Sequence, residues 1–199
     1  MDLFLFILLS YLIGSIPFSH IFPKLKGKDV REAGTKNVGA TNALVVAGPI
    51  FGALALIGDV GKGYLCAYLA GQYLGTPWAM TLAGLAAIAG HVFSIFLRFR
   101  GGKGIATMGG VLLAIDPFFA IIALSLWILL IVVTRYFILS TLIISGSIPI
   151  MMFVVGKRHE FIIFGVLAFA LVLYTHRDDI MRLVSGRELK TSQAMKKYL

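Results

Sequence analysis

An all-α polytopic membrane protein is the fold class that the sequence predicts. We expect about seven transmembrane helices, some short or broken, with the N-terminus outside and the C-terminus cytoplasmic. Three observations predict it. Hydrophobic residues make up 59% of the 199 and charged residues only 14%. Mean hydropathy is +0.93, far outside the usage of soluble domains. The apolar residues fall in runs long enough to cross roughly 30 Å of hydrocarbon at about 1.5 Å per residue. Finally, 18 Lys and Arg stand against 9 Asp and Glu, and they lie between those runs and at the C-terminal end. Such a bias orients membrane helices and attracts anionic lipid or anionic substrates. Spread between spans in this way, it excludes a nucleic-acid partner.

The first expected crossing is 3–22. Met1-Asp2 lacks the positive start of a secretory signal and no small-residue cleavage site follows, so the segment is expected to remain as a span. Near its end, Gly14-Ser15-Ile16-Pro17-Phe18-Ser19-His20 joins a helix-bending proline to hydroxyls that either face a cavity or bond back to their own helix. The loop 24–42 carries Lys24, Lys26, Lys28, Arg31 and Lys36 against Asp29 and Glu32, which places it in the cytoplasm. In its second half, glycines alternate with Thr35, Lys36, Asn37, Thr41 and Asn42. Such a stretch can wrap donors around a phosphate, and Thr41 or Asn42 can also cap the next helix.

Residues 43–74 would form a straight helix of roughly 48 Å, too long for one perpendicular crossing. Split at Gly58-Asp59-Val60-Gly61-Lys62-Gly63, they read as one crossing built from a broken helix. Asp59 and Lys62 then either line a cavity or form an i, i+3 ion pair. Cys66, the single cysteine, sits in an apolar run and predicts neither a disulfide nor a metal site. A turn at Gly75-Thr76-Pro77 opens the crossing 77–99, with Trp78 at the interface and His91 about two turns from the basic end. His91 faces the site or serves a structural role. Further crossings are expected at 103–116, 117–133, 137–155 and 161–175. Seven crossings put loop 24–42, Arg135 and the tail from His176 on the cytoplasmic face, leaving Lys157 and Arg158 outside.

The central stretch is 90–107, GHVFSIFLRFRGGKGIAT. Here an apolar run with one histidine meets Arg98 and Arg100, then the turn Gly101-Gly102-Lys103-Gly104, then a new helix. Glycines let successive N–H groups converge on an anion, a helix start adds its positive dipole end, and Lys103 adds a full charge. At a membrane surface, that combination points to a phosphate-bearing ligand. The segment His176 to Glu188, HRDDIMRLVSGRE, places a histidine beside carboxylates and arginines directly after the last span. If helical, it sets Asp178 and Arg182 on one face, and its histidine can act as a base or hold a phosphate.

Together SIPFSH with REAGTKNVGATN, GHVFSIFLRFRGGKGIAT and HRDDIMRLVSGRE resemble, in order and spacing, the three motifs of the bacterial acyl-phosphate:glycerol-3-phosphate acyltransferases. The resemblance covers nearly the whole chain and implies a single membrane-integral acyltransferase domain, 1–199. It implies transfer of a fatty acyl group from acyl phosphate to the sn-1 hydroxyl of glycerol 3-phosphate, giving lysophosphatidic acid. It further implies a bacterial inner-membrane protein with its active site on the cytoplasmic side. No cofactor and no metal are expected, and the protein is expected as a monomer whose partners are its two substrates and the bilayer. Three departures stand out. Thr35 replaces the family's serine, Ala43-Leu44-Val45-Val46 offers no arginine after GATN, and Asp179 replaces an asparagine.

The residues expected to carry the chemistry are His176, Lys103 and Ser140. Ser15, Arg31, Thr35, Lys36, Asn37, Thr41, Asn42, Gly101, Gly102, Gly104, Thr107, Arg177 and Asp179 are expected to bind substrate phosphate, with Glu188 and His91 structural. An acyl phosphate already holds a good leaving group, so positioning and charge neutralisation suffice without a covalent nucleophile. His176 orients or deprotonates the hydroxyl, or the substrate's own phosphate takes the proton. The expected site needs all three motifs to converge at the inner leaflet. Two other classes predict differently. A small permease for organic phosphates would use a broken 43–74 helix as its midplane site, and a lipid-binding scaffold would leave the GGKG and GTKN glycines without purpose.

Overall fold

A computed structural model describes residues 2–198, and the regular structure among them is helical throughout. The elements are α1 (Leu3–Ser15), α2 (Phe18–Leu25), α3 (Ala40–Ala47), α4 (Pro49–Leu74), α5 (Pro77–Val92), a 3-10 turn (Ile95–Leu97), α6 (Ile105–Ile115), α7 (Pro117–Thr134), α8 (Phe137–Val154), α9 (His159–Thr175), α10 (Arg177–Val184) and α11 (Thr191–Tyr198). They fall into two compact units, Met1–Ile115 and Asp116–Leu199.

Five segments are long and apolar enough to cross a membrane: Leu3–Leu25, Pro49–Leu74, Pro77–Leu97, Pro117–Thr134 and Phe137–Val154. A sixth is the pair His159–Thr175 and Arg177–Val184, bent by 67°. The expectation of seven therefore exceeds what length alone supports. The difference is α6, whose 11 residues rise only about 16 Å, roughly half the hydrocarbon thickness.

In the first unit, the break expected at Gly58–Gly63 lies elsewhere. Gly48, at φ +93°, separates α3 from α4, and Pro49 opens α4 where its missing N–H costs nothing. From there α4 runs unbroken through Gly58, Gly61 and Gly63 to Leu74. Two of these glycines serve packing. A Cβ on Gly63 would stand 2.2 Å from the Thr107 carbonyl oxygen, and one on Gly58 would stand 2.5 Å from the Phe18 ring. Gly110 of α6 answers Gly63, since a Cβ there would lie 2.0 Å from the Val60 carbonyl oxygen. Helix α1 meets α5 in the same reciprocal way, Gly14 against Ala87 and Gly90 against Tyr11, with a Cβ 2.2 Å from a carbonyl oxygen in each case. Where lipid is as apolar as leucine, such backbone-to-backbone contact is a main source of helix attraction, and an intact helix keeps every N–H satisfied. An unbroken α4 also removes the midplane break on which the permease reading depends.

The helix is interrupted between α1 and α2 at Ile16-Pro17, and the two together make the candidate span Leu3–Leu25. The end of α1 is tied across the unit: the Ser94 hydroxyl donates to the Ser15 carbonyl at 2.5 Å, and the Tyr11 hydroxyl to the Phe93 carbonyl at 2.7 Å.

In the second unit, Asp116 caps α7 by accepting the Phe119 N–H at 2.9 Å and pairs with Lys157. The Trp127 indole donates to Thr141 at 3.1 Å, joining α7 to α8. Helix α11 is tied to the α7–α8 corner by its Thr191 N–H and hydroxyl, both donating to the Arg135 carbonyl.

Candidate active site

The loop between α2 and α3 is built around Asn42. This residue is 1% exposed. Its Oδ1 accepts the Thr35 N–H at 2.8 Å, and its Nδ2 donates to the carbonyls of Val30 (2.7 Å), Asn37 (2.9 Å) and Ala33 (3.2 Å). Asn42, expected among the phosphate ligands, spends both ends of its amide inside the loop, because the turn would otherwise bury unpaired carbonyls. Gly34, at φ +62°, leaves room for it; a Cβ would strike Asn42 Oδ1 at 2.1 Å. Thr35, Lys36 and Thr41 stay exposed on this frame, and Asn37 is half-buried. Val30 and Val38 root the loop in a small core with Ala43 and Ala55. Arg31 grips Asp29 through two bonds, Nε to Oδ1 at 3.0 Å and Nη2 to Oδ2 at 2.7 Å. That fork holds the Asp29 carboxyl well below the usual carboxylate range.

The GGKG turn folds back onto the end of α5. Gly101 N–H donates to the Val92 carbonyl at 2.9 Å and Gly102 N–H to the His91 carbonyl at 3.1 Å. Two donors expected for a phosphate are therefore committed to protein, and these glycines contribute shape. Gly102 is wedged between two walls. A Cβ there would lie 2.0 Å from the Val38 carbonyl oxygen and 2.3 Å from His91 Nε2. Lys103 follows, half-buried, and Gly104 at φ +85° turns the chain into α6. Thr107, one turn into α6, is fully buried, and its hydroxyl has no hydrogen-bond partner.

Behind the turn lies a buried polar cluster. Ser19 donates to Asp59 Oδ2 at 2.5 Å. Lys62 Nζ stands 2.8 Å from Asp59 Oδ1 and donates to the Ile16 carbonyl at 2.8 Å. His91 Nδ1 lies 3.5 Å from Asp59 Oδ1. Asp59, Lys62 and His91 are each 6% exposed or less. Of the alternatives open for Asp59 and Lys62, the ion pair forms. Ser15, expected near phosphate, instead donates to the Tyr11 carbonyl of its own helix at 2.9 Å, which satisfies a hydroxyl wherever the helix goes.

In the second unit, His176 sits at the bend between α9 and α10, 1% exposed. Its Nδ1 lies 3.0 Å from the Val172 carbonyl oxygen and 3.3 Å from the Thr175 hydroxyl. A carbonyl only accepts, so in the neutral ring Nδ1 carries the proton and Nε2 the lone pair. Asp178 and Arg182 are expected to share a helix face. The bend buries Asp179, and Arg182 pairs with Asp179 while its Nε donates to Glu188 at 3.0 Å. Arg177 is exposed, stacked 4.8 Å from the Tyr174 ring. Ser140 is fully buried, donating to the Tyr136 carbonyl at 2.8 Å and sharing a 2.9 Å bond with Thr134. Among the described residues, no group of three or more His, Cys, Asp or Glu could hold a metal ion.

Residues 4–186 match the family described as glycerol-3-phosphate acyltransferase. The chain belongs to that family. The glycerol-3-phosphate acyltransferase of Syntrophomonas wolfei is 38% identical over 92% of this chain and 94% of its own. That of Thermosipho melanesiensis is 40% identical over 93% and 90%. Two crystal structures of PlsY (YgiH), an integral membrane glycerol 3-phosphate acyltransferase, are similar at TM-score 0.89. Its glycerol 3-phosphate form is 35% identical over 94% of both chains. Its lysophosphatidic acid form is 34% identical over 97% of this chain and 98% of that one.

The sequence places Ser19 and Arg182 in its polar stretches without foreseeing their partners, Asp59 and Asp179. The signals were present in the spacing: Asp59 with Lys62 and Asp179 with Arg182 are both i, i+3 pairs. What spacing does not show is a serine or histidine arriving from another helix.

Proposed function

We propose that this chain transfers a fatty acyl group from acyl phosphate to the sn-1 hydroxyl of glycerol 3-phosphate, giving lysophosphatidic acid and phosphate. The observation that carries this reading is the GGKG turn. Its backbone is locked onto the ends of His91 and Val92, so a cation is presented at a defined place beside the start of α6. A rigidly held lysine at a helix start is suited to a phosphoryl group.

The hydroxyl oxygen attacks the acyl carbon, an ester bond forms, the bond from the acyl carbon to the phosphate oxygen breaks, and inorganic phosphate leaves. Lys103 neutralises phosphate charge as it grows on that group. Thr35, Lys36, Asn37 and Thr41, displayed on the Asn42 frame, hold polar groups of the substrates. Arg177, Asp179 and the Ser140 hydroxyl take part as well, with Glu188 steadying the segment 176–188 through Arg182. The hydroxyl proton goes to His176 Nε2 or to a substrate phosphate oxygen. No cofactor enters this balance, and the chain acts as a monomer. Its orientation in a bacterial inner membrane has the N-terminus outside, the C-terminus in the cytoplasm and α6 as a short seventh crossing. Lys157 and Arg158, the basic residues left outside, are paired with Asp116 and Glu160.

The test uses purified protein in detergent or lipid with acyl phosphate and radiolabelled glycerol 3-phosphate. Labelled lysophosphatidic acid should form without coenzyme A or acyl-carrier protein. Absence of product while the acyl phosphate remains intact overturns the reading. His176→Gln separates the proton routes: a fall in kcat of about 100-fold or more assigns the proton to the imidazole, and a smaller fall assigns it to the substrate phosphate.

A further inference from the structure

Asp59 and Lys62 are the most deeply buried opposite charges among the described residues, and the chemistry above makes no use of them. Taking two charges out of water is costly, and a buried pair generally stabilises a fold no better than apolar residues of the same size. Its geometry shows another use. Lys62 reaches the Ile16 carbonyl, where Pro17 interrupts the first span, so the pair marks the break between α1 and α2. Asp59 collects Ser19 from α2 on one oxygen and Lys62 on the other, with His91 of α5 beside that second oxygen. The far edge of the His91 ring lies against Gly102, and the opposite wall of Gly102 is the Val38 carbonyl of the α2–α3 loop. A continuous line of contacts thus runs from the ion pair through the imidazole to the backbone next to Lys103.

We propose that Ser19, Asp59, Lys62 and His91 form a positioning network that holds Gly102 in place through the His91 ring and so fixes Lys103 for the phosphate group. None of the four touches substrate. Asp59 sets the orientation of the imidazole, and Lys62 anchors Asp59 to the break between α1 and α2. The ring then acts as a wall of fixed width, against which a glycine fits and a methyl group does not. The inference rests on the assignment of Lys103 to substrate phosphate. A displacement of about 1 Å in such a group is enough to cost up to about 100-fold in rate or affinity.

The experiment measures kcat and KM for both substrates in wild type, His91→Gln, Gly102→Ala, the pair His91→Gln/Gly102→Ala, and the charge-neutral pair Asp59→Asn/Lys62→Met. Thermal unfolding in detergent is followed alongside. The network predicts that His91→Gln and Asp59→Asn/Lys62→Met lower kcat by about tenfold while KM for both substrates changes far less, because Lys103 acts on charge that grows in the transition state. It also predicts that His91→Gln and Gly102→Ala are non-additive in kcat, as residues acting through one contact must be. Lys62→Arg alone, which keeps the charge, retains most of the wild-type kcat. If the variants unfold at lower temperature with kcat unchanged, or if the His91 and Gly102 effects simply add, the network is structural only and the proposal is overturned. Product formation by the wild type in the same assay separates that outcome from failure of the proposed reaction.

Discussion

The two units differ in how most of their buried polar groups are satisfied. In Met1–Ile115, the polar bonds that matter to the fold cross between elements: Ser19 to Asp59, Lys62 to Ile16, Ser94 to Ser15, Tyr11 to Phe93, and Asn42 to three carbonyls of its loop. In Asp116–Leu199, several hydroxyls bond back to their own helix, as in Thr141 to Phe137, Ser145 to Thr141 and Ser147 to Ile144, beside a smaller set of bonds between elements such as Trp127 to Thr141. A back-bonded hydroxyl is satisfied wherever its helix goes and says nothing about neighbours. A bond between elements is satisfied in one arrangement only. The first unit therefore holds its GGKG turn and loop in a specified geometry, while the helices of the second carry polar groups with little cost and little specification.

That contrast is open to test, beginning with the largest effect. Lys103→Ala should lower the rate of lysophosphatidic acid formation by about 100-fold to 1,000-fold, the usual cost of removing one donor to developing charge. A residual rate near wild type would break the claim that the rigid turn exists to present this lysine. Gly63→Leu forces a side chain against the Thr107 carbonyl and should destabilise the first unit by about 1–3 kcal/mol or more, read as a lower unfolding temperature in detergent. Asn42→Ala leaves the carbonyls of Val30, Ala33 and Asn37 unpaired, at about 1–3 kcal/mol, and should make the α2–α3 loop a site of early proteolysis. Ser145→Ala, by contrast, should shift stability by less than about 1 kcal/mol, because only a self-directed bond is lost.

The smallest effect is electrostatic. Lys157 and the Phe119 N–H hold the Asp116 carboxyl below its ordinary value. A carboxyl depressed on folding contributes stability that is present above the unfolded pKa of about 3.9 and is lost as pH falls through the lower folded value. The partly exposed pair should therefore add under about 1 kcal/mol at neutral pH. Asp116→Asn should lower stability by under about 1 kcal/mol above about pH 4 and by progressively less as pH falls below it, so that the acid side of the profile is flatter.

Much of this was legible in the residue order. Apolar runs of crossing length, the basic loop after the first span and the glycine turn around Lys103 are local features, and local features survive into any fold. The GGKG segment was legible because a turn, a charge and a helix start are adjacent in the chain. The position of the break near residue 48 was not, and neither was the count of crossings. A glycine that ends a helix and one that admits a neighbouring backbone are the same residue in a sequence. Gly48 does the first and Gly63 the second, and only the arrival of Thr107 distinguishes them. Asn42 read as a ligand for the same reason, since the carbonyls that claim its amide reach it only after the loop has closed.

What the sequence by itself determined was the class of the molecule, the family to which its motifs belong and the polar stretches in which its chemistry must lie, because hydrophobic length and short motifs are written in consecutive residues. Tertiary structure alone decided which of those polar groups are spent inside the protein. It brought Asp59, Lys62, Ser19 and His91 together behind Gly102, and it turned Asp179 toward Arg182. Partnership in a medium without water is settled by whichever group comes within hydrogen-bonding reach, and that distance exists only once the helices have packed.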